Sequence, residues 1–535
     1  MSQQKNIEAI YPLAPMQQGM LFHAIAAPGT GDYINQLNMT LPALQVDCFK
    51  QAWQLAVERH PILRTLFVWE GRPQPLQVVR KTVALHFSEL DLCELAPAAQ
   101  QSQLTALLLG ERRQDFILTE APLMRLTLVR LTQQCYEFIW TYHHLITDGW
   151  SLANLFKEIF TLYECARTGA PLRLSTPRPF GDYIAWLQKQ DRKSAEAFWR
   201  DYLKGFATPT PLVVSSLPTL DGETAAPLHA EQSVLFPPAL LAELRTVARA
   251  HELTLNTLFM GAWGLLLSRY SGETDVVFGT VVAGRPPTLA GVEEMVGVFI
   301  NTLPLRIRVD EDAALSAWLK ALQQQQVDRE RYAYAPLQDI QKWSELPAGT
   351  RLFENVAVFE NYPIEVAPHS QAERIQVSAV DQTSLPLQLV ILLEESATFK
   401  LGYDPQRFTA DVMARLGGHY QALLQSMASD LRQRLRTHRR ARQQRTARQR
   451  RPVEVAQRQV LGHRELADAA VVQRLLGQAA HAETLHLRAR GPVGLAVDAH
   501  LAAVDRHRAG ERRHQLALAV ARHAGHADDL ARVQR

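Results

Sequence analysis

Cysteine is scarce in this sequence: the 535 residues contain four, Cys48, Cys93, Cys135 and Cys165. They are scattered, with neither the pairing nor the spacing that builds a disulfide framework or holds a zinc ion. The pattern excludes a disulfide-stapled scaffold and a cysteine-based metal centre. A reducing compartment, the cytoplasm, is therefore expected, and no bound metal ion is expected.

Long hydrophobic runs are also missing. The opening residues, MSQQKNIEAIYPLAP, lack the basic segment and apolar run of a secretion signal, and no stretch reaches the roughly 18 uncharged apolar residues of a membrane helix. Two catalytic signatures are absent as well, the GxSxG of acyl-serine enzymes and the HExxH of zinc proteases. Contact with a membrane is not expected, and acyl-transfer chemistry would have to use another group.

A net positive charge is found only at the C-terminal end of the chain. Residues 431–535 contain 22 Arg against nine Asp or Glu, whereas residues 1–430 contain 35 basic and 45 acidic residues. The body therefore has no basic surface typical of nucleic-acid binding, and nucleic acid is not expected as a partner. Residues 431–535 also lack Ile, Met, Phe, Tyr and Trp, so a stable fold is not expected there. A disordered tail and an Arg-rich arm for nucleic acid are two alternatives for this segment.

Hydrophobic periodicity predicts an α/β protein. Apolar residues recur at helical spacing from Asp47 to Pro61, and strands are predicted at 62–69, 123–130 and 135–142. The next predicted helix follows residue 150, with Ser151 capping its start.

A second α/β pattern follows a Pro-, Thr- and Ser-rich connection at 204–235. It consists of a long helix, two strands and another helix, predicted at 239–270, 274–282, 299–307 and 314–332. The recurrence predicts two lobes of related architecture, residues 1–178 and 179–430, followed by the segment 431–535.

The segment TYHHLITDGWS, residues 141–151, stands where a predicted strand passes through a loop into a helix. Successive strand side chains point to opposite faces, so His143 and His144 cannot both enter one cleft if the strand persists. Asp148 could hold the turn through a buried ion pair, and Gly149 would let the backbone approach a substrate. The helix start directs positive charge to the junction, where an oxyanion could develop. This is a plausible acyl-transfer site, although two adjacent histidines taken alone are more often packing or surface residues.

The complete HHxxxDG pattern resembles the active-site motif of the condensation domains of non-ribosomal peptide synthetases and, more distantly, that of chloramphenicol acetyltransferase-like acyltransferases. The resemblance extends over residues 8–430 and involves further motifs in family order. These are YPLAPMQQGMLFH (11–23), RHPILRTLF (59–67), FGDYIAWLQ (180–188), MVGVFINTLPLR (295–306), a loose YAYAPLQDI (332–340) and RLFENVAVFENYP (351–363).

The resemblance implies a role for individual positions. His144 is the catalytic histidine, His143 and Asp148 are structural, and Gly149 lies beside the reacting thioester. Arg285 resembles the second-lobe arginine that pairs with the motif aspartate, and Arg64 resembles the family's structural arginine. For both arginines an ordinary packing or surface role is an equal alternative.

The same resemblance implies two acetyltransferase-like lobes in a V-shaped arrangement with a tunnel between them. A donor and an acceptor carrier domain would approach from opposite ends, each inserting a phosphopantetheine arm, and the domain itself would bind no cofactor directly.

The opening motif is similar to that of members that accept a D-configured donor after an upstream epimerisation domain. Ala24 replaces the second histidine of members that also epimerise, so condensation alone is expected. Because the sequence opens with this motif, the donor is expected on another polypeptide.

Three functions remain open: peptide-bond formation between carrier-bound thioesters, acyl transfer from a soluble thioester by a stand-alone enzyme, and a catalytically silent docking module. For residues 431–535 the preferred hypothesis is a frameshift in a GC-rich gene, which replaced the start of an adenylation domain with out-of-frame residues.

Overall fold

The protein was analysed as a computed structural model that describes residues 6–212, 230–360, 377–380, 385–393 and 397–431. Apart from Leu431, the Arg-rich segment 431–535 and the hypotheses about it lie outside these residues. Among the helices in the described ranges, none is both long and apolar enough to cross a membrane.

Helices and strands are interspersed along the described chain, often in runs of two or more of one type. The helices are α1 (Pro15–Ala26), α2 (Val46–Arg59), α3 (Pro97–Arg113), α4 (Gly149–Thr168), α5 (Phe180–Leu187), α6 (Arg192–Leu203), α7 (Pro238–Ala250), α8 (Leu255–Ser271), α9 (Leu315–Glu330), α10 (Leu337–Trp343) and α11 (Ala410–Ser429). The strands are β1 (Ile7–Pro12), β2 (Ile34–Pro42), β3 (Thr65–Val68), β4 (Leu76–Arg80), β5 (Phe87–Asp91), β6 (Met124–Thr132), β7 (Cys135–His143), β8 (Ala230–Leu235), β9 (Asp275–Val282), β10 (Asn301–Arg308), β11 (Asn355–Glu360), β12 (Val377–Val380), β13 (Leu387–Leu393) and β14 (Ala397–Tyr403).

The first lobe is built on a sheet with the strand order β12-β2-β7-β6-β5. The predicted strands at 123–130 and 135–142 are present as β6 and β7, which are antiparallel neighbours. Helices α2 and α4 pack together, and their aromatic side chains meet those of β7 in a buried cluster: Phe49, Trp53, Phe138, Trp140 and Phe156. Strand β12 pairs with β2, so the chain returns to the first sheet after the predicted boundary at residue 178. That boundary and the V-shaped arrangement stay predictions.

The second lobe is built on a sheet with the order β10-β9-β11-β13-β14-β8. Its β9–β10 pair is antiparallel and continuous from Asn301 opposite Val282 to Arg308 opposite Asp275. Helices α7, α8, α9 and α11 contribute the large apolar core against this sheet. A smaller sheet, β1-β4-β3, accompanies the first lobe.

Residues 284–300, which we call the bridging segment, lie between β9 and β10. Its apolar side chains are buried with those of α4, α5 and the first sheet, and they include Val292, Met295, Val298 and Phe299. A segment between two second-lobe strands is thus part of the first-lobe core, and it brings Arg285 to the start of α4.

Four local expectations are corrected. The predicted strand 62–69 begins as a 3₁₀ turn, Pro61–Arg64, because proline fixes a helical φ at the first position. The helix predicted at 239–270 is two helices, separated near Glu252, whose φ is +55°. The connection predicted at 204–235 ends in β8, and its residues 213–229 lie outside the described ranges. The cap of α4 is Asp148 rather than Ser151, because the carboxylate accepts the Ser151 N–H.

Gly284 opens the bridging segment in a conformation that favours glycine. Its φ is +61°, and a Cβ there would lie 1.8 Å from the Phe299 carbonyl oxygen. We expect Gly284→Ala to destabilise the fold by about 2 kcal/mol or more, because left-handed strain and a backbone clash add together.

Gly418→Ala is the matched control for this substitution. Gly418 lies inside α11 with open space around its Cα, so alanine should raise stability by about 0.5–1 kcal/mol. Thermal unfolding of both variants checks the pair, and equal unfolding temperatures would contradict the assignment.

Candidate active site

The HHxxxDG loop begins where β7 ends. His143 is the last residue of β7 and pairs with Ile34 of β2, whereas His144 already belongs to the turn. The backbone N–H of His144 donates to the carbonyl of Tyr33 at 2.8 Å, which fixes the direction in which the chain leaves the sheet. Strand alternation therefore does not separate the two histidines, because the strand stops between them.

His143 points into the protein. Its side chain is buried, and its Nδ1 accepts the backbone N–H of Leu145 at 3.1 Å, so the neutral ring carries its proton on Nε2. Burial, with a smaller contribution from neighbouring His144, lowers the pKa of His143 to about 3. His143 therefore stays neutral near pH 7 and serves to fold the loop.

His144 is half-buried and has the opposite tautomer. Its Nδ1 lies 2.7 Å from the carbonyl oxygen of Thr147. A carbonyl can only accept, so Nδ1 carries the proton of the neutral ring and Nε2 keeps its lone pair. A ring oriented in this way, with a basic Nε2, can accept a proton from a substrate.

Asp148 closes the loop from the other side. Its carboxylate is buried: Oδ1 accepts the N–H of Ser151 at 2.9 Å, and Oδ2 accepts those of Phe299 at 2.8 Å and Ile300 at 3.3 Å. The backbone N–H of Asp148 donates to the carbonyl of Gly297 at 3.1 Å. The carboxylate is thus the N-cap of α4 and also the acceptor for the bridging segment.

Arg285 meets this carboxylate, as the resemblance implies. Its Nη2 lies 3.5 Å from Asp148 Oδ1 and donates to Ser151 Oγ at 2.8 Å, while its guanidinium carbon lies 4.0 Å from the centre of the Phe299 ring. Ser151 Oγ in turn donates to the carbonyl of Gly297 at 2.8 Å. Ser151 therefore joins α4 to the bridging segment, a role that sequence reasoning missed because it assigned Ser151 only to the cap.

Gly149 lies in the HHxxxDG loop, whereas Arg64 lies elsewhere in the first lobe. Gly149 is the first residue of α4, next to the Asp148 carboxylate, and its role beside a thioester stays a prediction. Arg64 is buried, forms an ion pair with Glu8 at 2.6 Å and donates to the carbonyls of Val57 and Arg80. These partners connect α2, β1 and β4, so Arg64 holds those elements together and does not join the groups around His144 described above.

This fold and loop define a class: a two-lobed, chloramphenicol acetyltransferase-like α/β acyltransferase with an HHxxxDG motif. Comparison with known proteins then gives the family, since the model of the Condensation domain matches residues 7–448. The chain belongs to the condensation-domain family of non-ribosomal peptide synthetases, which form amide bonds.

Two similar proteins are subunits of peptide synthetases that are much longer than this chain. A linear gramicidin synthase component of Brevibacillus parabrevis is 43% identical over 439 residues, which are 81% of this chain and 6% of that protein. Surfactin synthase subunit 3 of Bacillus subtilis is 32% identical over 433 residues, 79% of this chain and 33% of that protein. The chain therefore spans a small part of the length of these relatives.

Solved structures confirm the predicted fold class. The condensation domain of the Monacolin K polyketide synthase MokA matches 80% of this chain and 100% of its own, with a TM-score of 0.68 and 17% identity. A four-domain non-ribosomal peptide synthetase, holo-AB3403, matches 80% of this chain and 34% of its own, with a TM-score of 0.67 and 17% identity.

The buried His143 predicts a pH dependence of stability. The unfolded chain binds a proton at this position near pH 6.5, the folded chain only near pH 3, so the unfolded state binds more protons between these values. The contribution of His143 to stability is complete above about pH 6.5 and is lost as the pH falls towards 3.

We expect the unfolding temperature of His143→Asn to decrease less steeply between about pH 7 and 5 than that of the wild type. Asparagine retains an acceptor for the Leu145 N–H but does not titrate in this range. Parallel curves for the two proteins would contradict the assignment.

Proposed function

We propose that this domain joins a donor acyl or peptidyl thioester to the amine of an acceptor aminoacyl thioester, with His144 as the proton acceptor. The supporting observation is the half-buried imidazole whose Nδ1–H bond to Thr147 leaves Nε2 basic. The amine nitrogen attacks the thioester carbonyl, and the new C–N bond gives a zwitterionic tetrahedral intermediate. Nε2 takes one proton from that nitrogen; collapse breaks the C–S bond, and the proton passes to the departing thiolate.

The acceptor amine needs little activation. An α-amino group has a pKa of about 7.7–8.0, so roughly a tenth or more of it is uncharged at neutral pH, and releasing the free amine costs about 1.4 kcal/mol at most. Alignment of the two thioesters and removal of the proton are the larger requirements. A histidine ring that is oriented by its Nδ1–H bond to the Thr147 carbonyl suits both requirements.

The donor and the acceptor are proposed to arrive on phosphopantetheine arms of separate carrier domains, and the donor to have the D configuration. Support for carriers comes from the family, since a matching structure is a four-domain synthetase. Support for the D donor comes from the opening motif. Acyl transfer from a soluble thioester and a silent docking role are the competing functions. The cytoplasmic location stays a prediction.

Replacing His144 tests the base assignment. We expect His144→Ala to lower single-turnover amide formation by about 10²–10⁴-fold, the usual contribution of general-base catalysis. Exposed His86 provides the control, since His86→Ala should leave the rate unchanged. Intact-mass detection of product between separately loaded donor and acceptor carriers gives the rate. A loss below about threefold would remove His144 as the base.

The same assay separates the three functions. We expect product from loaded carrier pairs, with D donors preferred over L donors, and little transfer from coenzyme A thioesters to free amines. Efficient transfer between soluble substrates would favour the stand-alone enzyme. Folded protein that is inactive with every carrier pair would favour the docking module.

A further inference from the structure

Gln17 is a fully buried amide on α1, within the opening sequence motif. Its Oε1 accepts the backbone N–H of Ala14 at 2.9 Å, and its Nε2 donates to the carbonyl of Leu145 at 2.8 Å. Because the first partner can only donate and the second can only accept, the two contacts fix the orientation of the amide. Gln17 therefore connects the start of α1 to the residue that follows His144, 128 positions later in the sequence.

Both backbone polar groups of Leu145 are held by side chains. Its N–H donates to His143 Nδ1, and its carbonyl accepts from Gln17. Leu145 itself is fully buried, so a carbonyl without a partner there would cost about 1–3 kcal/mol and would drive the loop to rearrange. The conformation of the turn after β7 thus depends on the Gln17 amide.

The contacts next to Leu145 determine the position of the His144 backbone and ring. The His144 N–H is held by the carbonyl of Tyr33, a residue with a φ of +63°, and the His144 ring is held by the carbonyl of Thr147. Leu145 lies between these two contacts along the chain. A shift of its peptide group would move the backbone that carries the imidazole and the carbonyl that orients it. Displacements of about 1 Å in a reacting group can lower rates by about 100-fold.

We infer that Gln17 is a positioning residue for His144, acting through the carbonyl of Leu145. The inference rests on the proposed function of His144. Gln17 contributes no group to the reaction. It holds the turn so that the lone pair on Nε2 keeps one direction while substrates bind and leave.

Gln77 offers a matched control. It is also fully buried, it bonds to Gln17 Oε1 at 3.0 Å, and it donates to the carbonyl of Pro12 at 2.9 Å. Removing its amide disturbs the same buried network but leaves the bond from Gln17 to Leu145 in place. Methionine is close in volume to glutamine and has no N–H group, so Gln17→Met and Gln77→Met remove comparable polar groups.

The test compares the kinetics of the two variants with loaded carriers. We expect Gln17→Met to lower the maximal rate by about 10–100-fold, with the half-saturating carrier concentrations within about threefold of wild type. Gln77→Met should retain the maximal rate within about threefold, although both variants lose thermal stability. Equal rate losses in the two variants, or a retained rate in Gln17→Met, would overturn the inference.

A double-substitution cycle separates positioning from a general structural role. In the His144→Ala background, Gln17→Met should change the residual rate by less than about threefold, because the group it positions has been removed. The same fold loss in both backgrounds would refute action through His144. A full rate in His144→Ala alone would instead refute the proposed function.

If Gln17→Met does not fold, a second variant, Gln17→Asn, tests the same inference. Gln17→Asn keeps the amide but is one methylene shorter, so it cannot hold both Ala14 and Leu145. The same kinetic loss is expected for it, and wild-type kinetics would again overturn the inference.

Discussion

The rest of the site depends on the hydrogen bonds that the buried Asp148 carboxylate accepts from α4 and the bridging segment. The carboxylate accepts three backbone N–H groups, one from the first turn of α4 and two from the bridging segment, and it lies beside the buried Arg285 guanidinium. A buried charge is tolerated when hydrogen bonds and an opposite charge compensate it, and both are present. One side chain thereby fixes the start of a helix and the path of a segment that comes about 150 residues later.

The turn between β7 and α4 gives the adjacent residues His143 and His144 different protonation patterns. The turn between β7 and α4 places the Leu145 N–H against the first ring and the Thr147 carbonyl against the second, so their protons occupy opposite nitrogens. Burial keeps the first ring neutral and structural. The second ring remains half-exposed and basic at Nε2, which is the property that acyl transfer to an amine requires.

Much of the architecture could be predicted because it follows from local patterns. Apolar periodicity identified α2, β6, β7 and α4, and the ordered motifs identified the family. The shape of the turn could not be predicted from alternation, since β7 ends at His143 and the rule no longer applies to His144. The roles of Ser151 and Gln17 could not be predicted either. Ser151 contacts Gly297, 146 positions away, and Gln17 contacts Leu145, 128 positions away; no local sequence pattern indicates such contacts.

The tautomer of His144 in the folded protein tests the proposed proton transfer most directly. Nitrogen NMR of the full chain labelled with ¹⁵N-histidine distinguishes protonated from unprotonated ring nitrogens, and the His144→Gln variant identifies the signals. At a pH where both rings are neutral, the proposed geometry predicts that His144 carries its proton on Nδ1 and His143 on Nε2. A His144 ring with its proton on Nε2 would contradict it, because the nitrogen assigned to accept the substrate proton would already be occupied.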